Sequence, residues 1–348
     1  MRTPLRPGEN GAGTGTRACG ISEYGLTSHN VKNRDYENAQ KRDQPWGLQQ
    51  ANHGETPLTF ENVLVTGGAG RLGTYVVDRL VGRCNLSVLD IKPLDAERAA
   101  KVRQVDVSIT DYAALREAFA GQDAIIHLAA IPNPRSAPAD VTFNNNVQGA
   151  WAVLQAAEDA GVKRIVVASS DSVFGLSYNP PDWPPKYLPV DEAHPTRPTE
   201  FYSLSKYVTE TISESYAHRK KLQVQVIRPV HIVFPPEYPE LEARGIDPQN
   251  YHFWAYVSPE DVAQGFDLAV RSEYKGYEVF TISAGNGLNP RPTLEMAKER
   301  WGVLPEIRKP DIFRSDPFAS VMDISKARDR LGYQPTSDWR KMHATIPE

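Results

Sequence analysis

From Phe60 onward, short apolar runs rich in β-branched residues alternate with stretches whose apolar positions fall three and four apart. The first pair is "NVLVTG", a buried strand, then "RLGTYVVDRLVGR", which puts Leu72, Val76, Val77 and Leu80 on one helical face. "LSVLD" returns as a second strand, and "DYAALREAFAG" reads as a helix opened by an aspartate and closed by Gly121. "DAIIHLAA" predicts a strand, "NVQGAWAVLQAAEDAG" a helix, "RIVVASS" a strand and "EFYSLSKYVTE" the start of a further helix. "QVQVIRPVHIVF", "SPEDVAQGFDLAVRS" and "YEVFTISA" continue as strand, helix and strand. Such alternation predicts an α/β fold in which crossover units build a doubly wound parallel sheet.

Two segments interrupt the alternation. "GLSYNPPDWPPKYLPVDEAHPTRPTE" is too rich in proline for a helix or central strand and predicts a long ordered loop, a usual place for function. After Gly285, "TLEMAKERWG" and "ISKARDRLG" read as short helices between Pro-rich connections. The first segment, 1–57, is polar with no sustained apolar period and is expected to be a disordered extension. A transit peptide is the competing idea, opposed by Glu9, Glu23, Asp35 and Glu37. The remainder divides into a main sheet domain, 58–230, and a small lobe, 231–348, interleaved with the last strands and helices.

Composition narrows the class. The 348 residues are 40% hydrophobic and carry a formal net charge of -4, which suits a globular core and gives no basic excess for nucleic acid. Cys19 and Cys84 alone argue against a disulfide framework and suggest a reducing compartment, and no apolar run approaches the roughly 20 residues that span a bilayer. The cytoplasm is the expected location. His194, His218 and His252 show no metal-ligand spacing, so no metal is expected.

The chemistry begins at "VTGGAGRLG", between the first strand and first helix. Gly68, Gly70 and Gly73 satisfy G-x-G-x-x-G, and Gly67, Gly70 and Gly73 equally satisfy G-x-x-G-x-x-G. Glycines there let the backbone approach a pyrophosphate, whose charge is stabilised by the N–H groups of the helix start. Asp90 ends the second strand 17 positions beyond Gly73, where a carboxylate accepts from an adenosine ribose and repels a 2'-phosphate. NAD is therefore favoured, with Arg71 and Lys92 keeping NADP open. Asp106 is placed either to cap the following helix or to contact adenine.

With this loop, "HLAA", "NNVQGA", "ASSDSVFG", "YSLSK", "VIRP" and "YVSPEDVA" in order, the chain resembles the extended short-chain dehydrogenase/reductases, the NAD-dependent epimerase/dehydratase family. The match runs roughly from Asn62 to Gly332. The resemblance implies a Rossmann-type sheet, Tyr202 as acid/base, Lys206 as its partner and Ser170 as the third member. It places Gly67, Gly70, Arg71, Leu72, Gly73, Asp90, Asp106, Val107, Leu128, Ala129, Ala130 and Asn146, with Tyr202 and Lys206, around the cofactor. It also implies a homodimer through the helices beginning near Asn146 and Ser205. His231 stands where nucleotide-sugar members often have asparagine, and "RPVHIVFPP" lacks their Tyr-Gly pair.

Tyr202 and Lys206 lie one helical turn apart on one face. A free phenol, pKa about 10, is a poor base near neutrality. A neighbouring ammonium and a cationic nicotinamide both favour phenolate, and Ser170 suits hydrogen bonding to the same substrate oxygen. About 27 residues separate Pro229 from Val257, too few for a large nucleotide-binding lobe, so a small substrate is expected, and the resemblance to compact members of that family implies a polyhydroxylated one, a free sugar or sugar acid. Candidate contacts from loops at the strand ends are Asn133, Arg135, Ser172, Phe174, His231 and Trp254, with Arg135 suited to a carboxylate and Trp254 also readable as core. A sugar epimerase and a cofactor-binding protein without turnover are the alternatives.

Overall fold

The computed structural model describes residues 60–344 except 179–182 and 251, so the proposed extension lies outside the described residues. Strand β1 (Asn62–Thr66) is followed by α1 (Arg71–Leu80), β2 (Asn85–Leu89), single-turn α2 (Ala96–Ala99), β3 (Arg103–Val105), α3 (Tyr112–Phe119) and β4 (Ala124–His127). Next come α4 (Ala139–Asp159), β5 (Arg164–Ala168), a 3-10 turn at Asp171–Phe174, β6 (Tyr187–Leu188), α5 (Phe201–His218) and β7 (Gln223–Pro229). A second 3-10 segment, Pro235–Glu240, leads into α6 (Leu241–Ile246), α7 (Pro259–Arg271), β8 (Tyr277–Ile282) and α8 (Thr293–Trp301). The remaining elements are β9 (Glu306–Ile307), α9 (Pro310–Ser315), α10 (Ser325–Leu331) and α11 (Trp339–Ala344).

Seven strands form one parallel sheet in the order β3-β2-β1-β4-β5-β7-β8. Both faces are covered, so strand residues are apolar in runs: Val63 and Val65 meet Val76, Val77, Leu80, Val262 and Phe266 on one side. Leu64 belongs to the opposite layer with Leu115, Phe119, Val153 and Tyr216. Winding runs outward from β1 in one direction and from β4 in the other. The crevice this reversal leaves at the carboxyl ends of β1 and β4 is where open α/β sheets bind ligands.

Several boundaries differ from the sequence expectation. Strand β3, "RQV", has no fully buried residue and sits at the sheet edge, so its polar side chains gave no strand signal. Helix α4 starts at Ala139, behind Pro138, seven residues before Asn146; its first turns are polar and lack an apolar stripe. The strand expected through Phe234 stops at Pro229, and Ile232 makes only an isolated bridge to Val257. Within the Pro-rich loop, β6 pairs with β9 in a small parallel sheet. The described residues cluster as one compact unit, and Val230, Val233 and Trp254 of the later chain share one apolar cluster with Val63.

Candidate active site

The glycine loop is shaped by sterics. Gly67 has φ +74, and a Cβ there would lie 2.6 Å from Ala129 N, so the loop seats directly on the chain leaving β4. A Cβ at Gly73 would lie 2.1 Å from Gly67 O, which fixes how closely α1 approaches the turn. Gly70 caps α1 through backbone alone, with no side chain bonded to the first-turn N–H groups. Those donors fit a phosphate group. Leu72 packs partly buried on the core, while Arg71 lies over the Phe234 ring at 4.0 Å and pairs with Glu237 at 3.3 Å.

Asp90 follows β2 and is held by the backbone: Ala69 N and Lys92 N each donate to one carboxylate oxygen at 3.0 Å. Each oxygen keeps lone-pair capacity for a ribose hydroxyl. The helix after β3 is capped by Asp111, whose carboxylate accepts from Ala114 N, so the capping option for Asp106 is set aside. Asp106 is exposed at the end of β3, and Val107 packs partly buried against the core. Leu128, Ala129 and Ala130 line the start of the loop beyond β4, each half-buried. Asn146 is a buried staple: Oδ1 accepts from Ile131 N at 2.8 Å, and Nδ2 donates to Ile131 O and Ser205 Oγ at 3.0 and 3.1 Å.

The Ser170, Tyr202 and Lys206 side chains converge beyond the carboxyl end of β5. Glu200 caps α5 by accepting from Tyr202 N at 2.6 Å and Ser203 N at 2.5 Å, which starts the helix just before the tyrosine. Lys206 Nζ donates to Ala168 O at 2.9 Å and stands 6.0 Å from the Tyr202 ring centroid. Burial pulls its ammonium down to about 8, opposed by Glu210 one turn further on. Glu210 is itself held by Arg228 in a bidentate pair at 2.8 and 2.6 Å. Burial pushes the Tyr202 phenol well above its ordinary range; hydrogen bonding from Ser170 works against this, while Tyr178, Asp171 and Glu200 reinforce it. The sequence leads one to expect the Lys206 ammonium and a bound nicotinamide to act together in favour of phenolate. In the structure desolvation is the largest influence, and Ser170 opposes it.

The candidate substrate residues separate into two groups. Asn133 forms an Asx turn with Arg135 N at 2.9 Å, and Arg135 is exposed on that loop. His231 follows β7, shares Glu237 with Arg244 at 3.1 and 2.9 Å, and stacks on His252 at 3.9 Å between centroids. Phe174 is a correction, and Trp254 takes the core option. Phe174 is fully buried, edge-on to His194 and beneath the Arg228 guanidinium. Trp254 is 1% exposed, and its Nε1 donates to Asp247 O. Neither side chain is open to a ligand. Ser172 is also buried, and its Oγ has no hydrogen-bond partner among the described residues.

Two features escaped the sequence reading. His252, held neutral first by burial and then by the positive field of His231, Arg244 and Arg135, precedes Phe253 and Trp254, both at positive φ. Asp171 is a buried carboxyl hydrogen-bonded to Ser170 Oγ at 3.2 Å. Its place between two serines was visible in the chain, but its burial was not. Among the described residues, no group of acidic, histidine or cysteine side chains could hold a metal ion, and no helix is long and apolar enough to cross a membrane.

The sheet order, the glycine turn at its switch point and the serine–tyrosine–lysine corner define one class. The chain belongs to the NAD dependent epimerase/dehydratase family, whose model matches residues 63–247. It is 32% identical over 216 residues to the L-arabinose 1-dehydrogenase (NAD(P)(+)) of Haloferax volcanii, covering 60% of this chain and 82% of that one. It is 28% identical over 330 residues to the UDP-glucose 4-epimerase of Streptomyces lividans, covering 82% and 97%. A short-chain dehydrogenase/reductase superfamily protein from Agrobacterium tumefaciens, solved with bound NAD, shares the fold at TM-score 0.61 and 23% identity, covering 81% and 94%.

Proposed function

We propose that the protein is an NAD-dependent dehydrogenase that oxidises a secondary alcohol or lactol carbon of a free sugar or sugar acid. The observation that carries this reading is the buried Ser170–Tyr202–Lys206 corner standing beyond β5, beside the crevice where the glycine loop seats on Ala129. NAD fits that crevice: the loop offers unbonded N–H groups, and Asp90 presents a carboxylate fixed by two backbone donors. When bound, NAD supplies the hydride acceptor. In this reading the protein's residues do the rest. Tyr202 Oη takes the substrate hydroxyl proton, Ser170 Oγ holds the same oxygen, and Lys206, anchored on Ala168 O, fixes the charge behind the phenol. Exclusion of water from the corner strengthens each of these interactions.

The small substrate is supported by the chain between Pro229 and Val257. Its helices are a six-residue 3-10 segment and the six-residue α6, not a lobe sized for a nucleoside diphosphate. Arg135, Arg244 and His231 all act on His252, and Glu237, shared by His231 and Arg244, sets a carboxylate acceptor beside them, a polar setting that suits a hydroxylated sugar. In this division, 58–230 holds the cofactor and 231–348 contributes the substrate side. The reading extends to a cytoplasmic homodimer joined through α4 and α5, where Val141, Trp151, Leu204 and Tyr207 stand exposed. The test is NADH formation across free aldoses, uronic acids, polyols and nucleotide sugars. Net NADH with a free sugar or uronic acid is the expected result; conversion of nucleotide sugars without net NADH would establish the epimerase instead.

A further inference from the structure

Asp171 is 6% exposed, sits in the 3-10 turn directly after Ser170, and its carboxyl is enclosed by protein. The ionisable groups around this turn are Tyr202 and Lys206 on α5, Tyr178, His194 and Arg197 on the Pro-rich loop, and Glu210 and Arg228 behind Phe174. The cations among them are committed elsewhere. Lys206 donates to Ala168 O, Arg228 grips Glu210, and Arg197 donates to Pro184 O at 2.6 Å. His194 Nε2 accepts from Lys186 N at 2.9 Å. Among the described residues, Asp171 has no ion-pair partner, and Ser170 Oγ is the side chain it bonds, at 3.2 Å. A buried carboxyl without a cation favours its neutral form, and burial pushes this one up to about 7, against hydrogen bonds from Ser170 and from the backbone of Ser172 and Asp171 that favour the ionised form.

The consequence falls on the serine. A hydroxyl has one proton and two lone pairs, and one lone pair of Ser170 Oγ already accepts from Ser172 N at 3.1 Å. If Asp171 is ionised, it takes the Ser170 proton, and the hydroxyl then faces Tyr202 and the substrate as an acceptor. If Asp171 is protonated, its O–H fills the second lone pair and the serine proton is released toward the phenol. Only the second arrangement makes Ser170 a donor to a phenolate or to a developing negative oxygen. Ionised Asp171 also opposes phenolate formation directly, by its charge.

We propose that Asp171 is a positioning residue that, as a neutral carboxylic acid, hydrogen-bonds to Ser170 Oγ and thereby aims the Ser170 O–H at the Tyr202 phenol and the reacting oxygen. No net proton leaves Asp171: the substrate proton goes to Tyr202 and the hydride to the nicotinamide. This role rests on the oxidoreductase reading above.

The test is a double-mutant cycle with Asp171→Ala, Asp171→Asn and Ser170→Ala, read as kcat and KM on whichever sugar forms NADH. Asp171→Ala lowers kcat about tenfold or more with little change in KM, and Asp171→Asn, whose amide can donate to Ser170 Oγ, restores most of the loss. In the Ser170→Ala background, Asp171→Ala has no further effect. The ratio of wild-type kcat to that of Asp171→Asn falls as pH rises from about 6 to about 9, because only the aspartate can ionise. The proposal is overturned if Asn is as damaging as Ala, if the Asp171 effect persists without the serine hydroxyl, or if the ratio is flat with pH. Infrared spectra need no turnover: a protonated-carboxyl band at about pH 6, lost in Asp171→Asn, is expected, and its absence would refute the proposal. A screen with no NADH from any sugar sinks the oxidoreductase reading, while the infrared result still decides the protonation state of Asp171.

Discussion

The glycine loop and the Ser170–Tyr202–Lys206 corner both stand at the carboxyl ends of the parallel strands, yet one is built from backbone and the other from buried side chains. Around Gly67 and Gly73, what matters is the absence of a Cβ: the turn closes only because 2.6 Å and 2.1 Å approaches to neighbouring backbone are left open. Around Tyr202, the chain has removed water from a phenol, an ammonium and a carboxyl at once, and burial is the largest influence on each. A backbone site tolerates changes of charge but not of shape. A desolvated side-chain site reverses that order, because each polar group there is balanced by a particular partner.

Three substitutions break or sharpen this contrast. The largest effect belongs to Tyr202→Phe, which keeps the ring packing and removes one oxygen. We expect kcat to fall about 10³-fold or more while NAD affinity, measured by titration calorimetry, changes less than about threefold. A variant that still turned over well would remove the acid/base role. Gly67→Ala should do the opposite. It places a side chain at φ +74, a strain of roughly 1–2 kcal/mol before the contact with Ala129 N is counted. NAD binding should weaken about ten- to a hundredfold, with kcat at saturating cofactor far less affected, and unchanged NAD affinity would show that the loop does not cradle the dinucleotide. The smallest change is expected for Asp90→Asn, which removes charge but keeps shape. The ratio of NADP to NAD dissociation constants should drop about tenfold, and an unaltered ratio would detach Asp90 from cofactor choice.

How much of this was legible in the chain varies with the kind of force involved. The alternation of strands and helices was readable because six of the seven strands of the main sheet bury apolar runs; β3 was missed because an edge strand of Arg103, Gln104 and Val105 buries little. The glycine loop was readable because steric need leaves glycines at fixed spacing. At the catalytic corner the residue types were legible, but their electrostatics were not. "SSDSVF" shows a serine beside an aspartate, and nothing local says that the carboxyl is buried with no cation paired to it among the described residues. Phe174, expected at the pocket, is core, and so is Trp254, which the sequence leaves open between pocket and core: an aromatic side chain near a loop fits a pocket wall or a core equally well, until neighbours from distant segments decide.

The sequence by itself determined the α/β layering, the glycine turn and the one-turn spacing of Tyr202 and Lys206, because each depends on residues close along the chain. Tertiary structure alone decided where Lys206 is anchored, that Asp171 faces the serine without a counter-ion among the described residues, and that His231 stacks on His252. Desolvation and pairing are set by groups tens of residues apart, and their energies appear only once folding has excluded water between them.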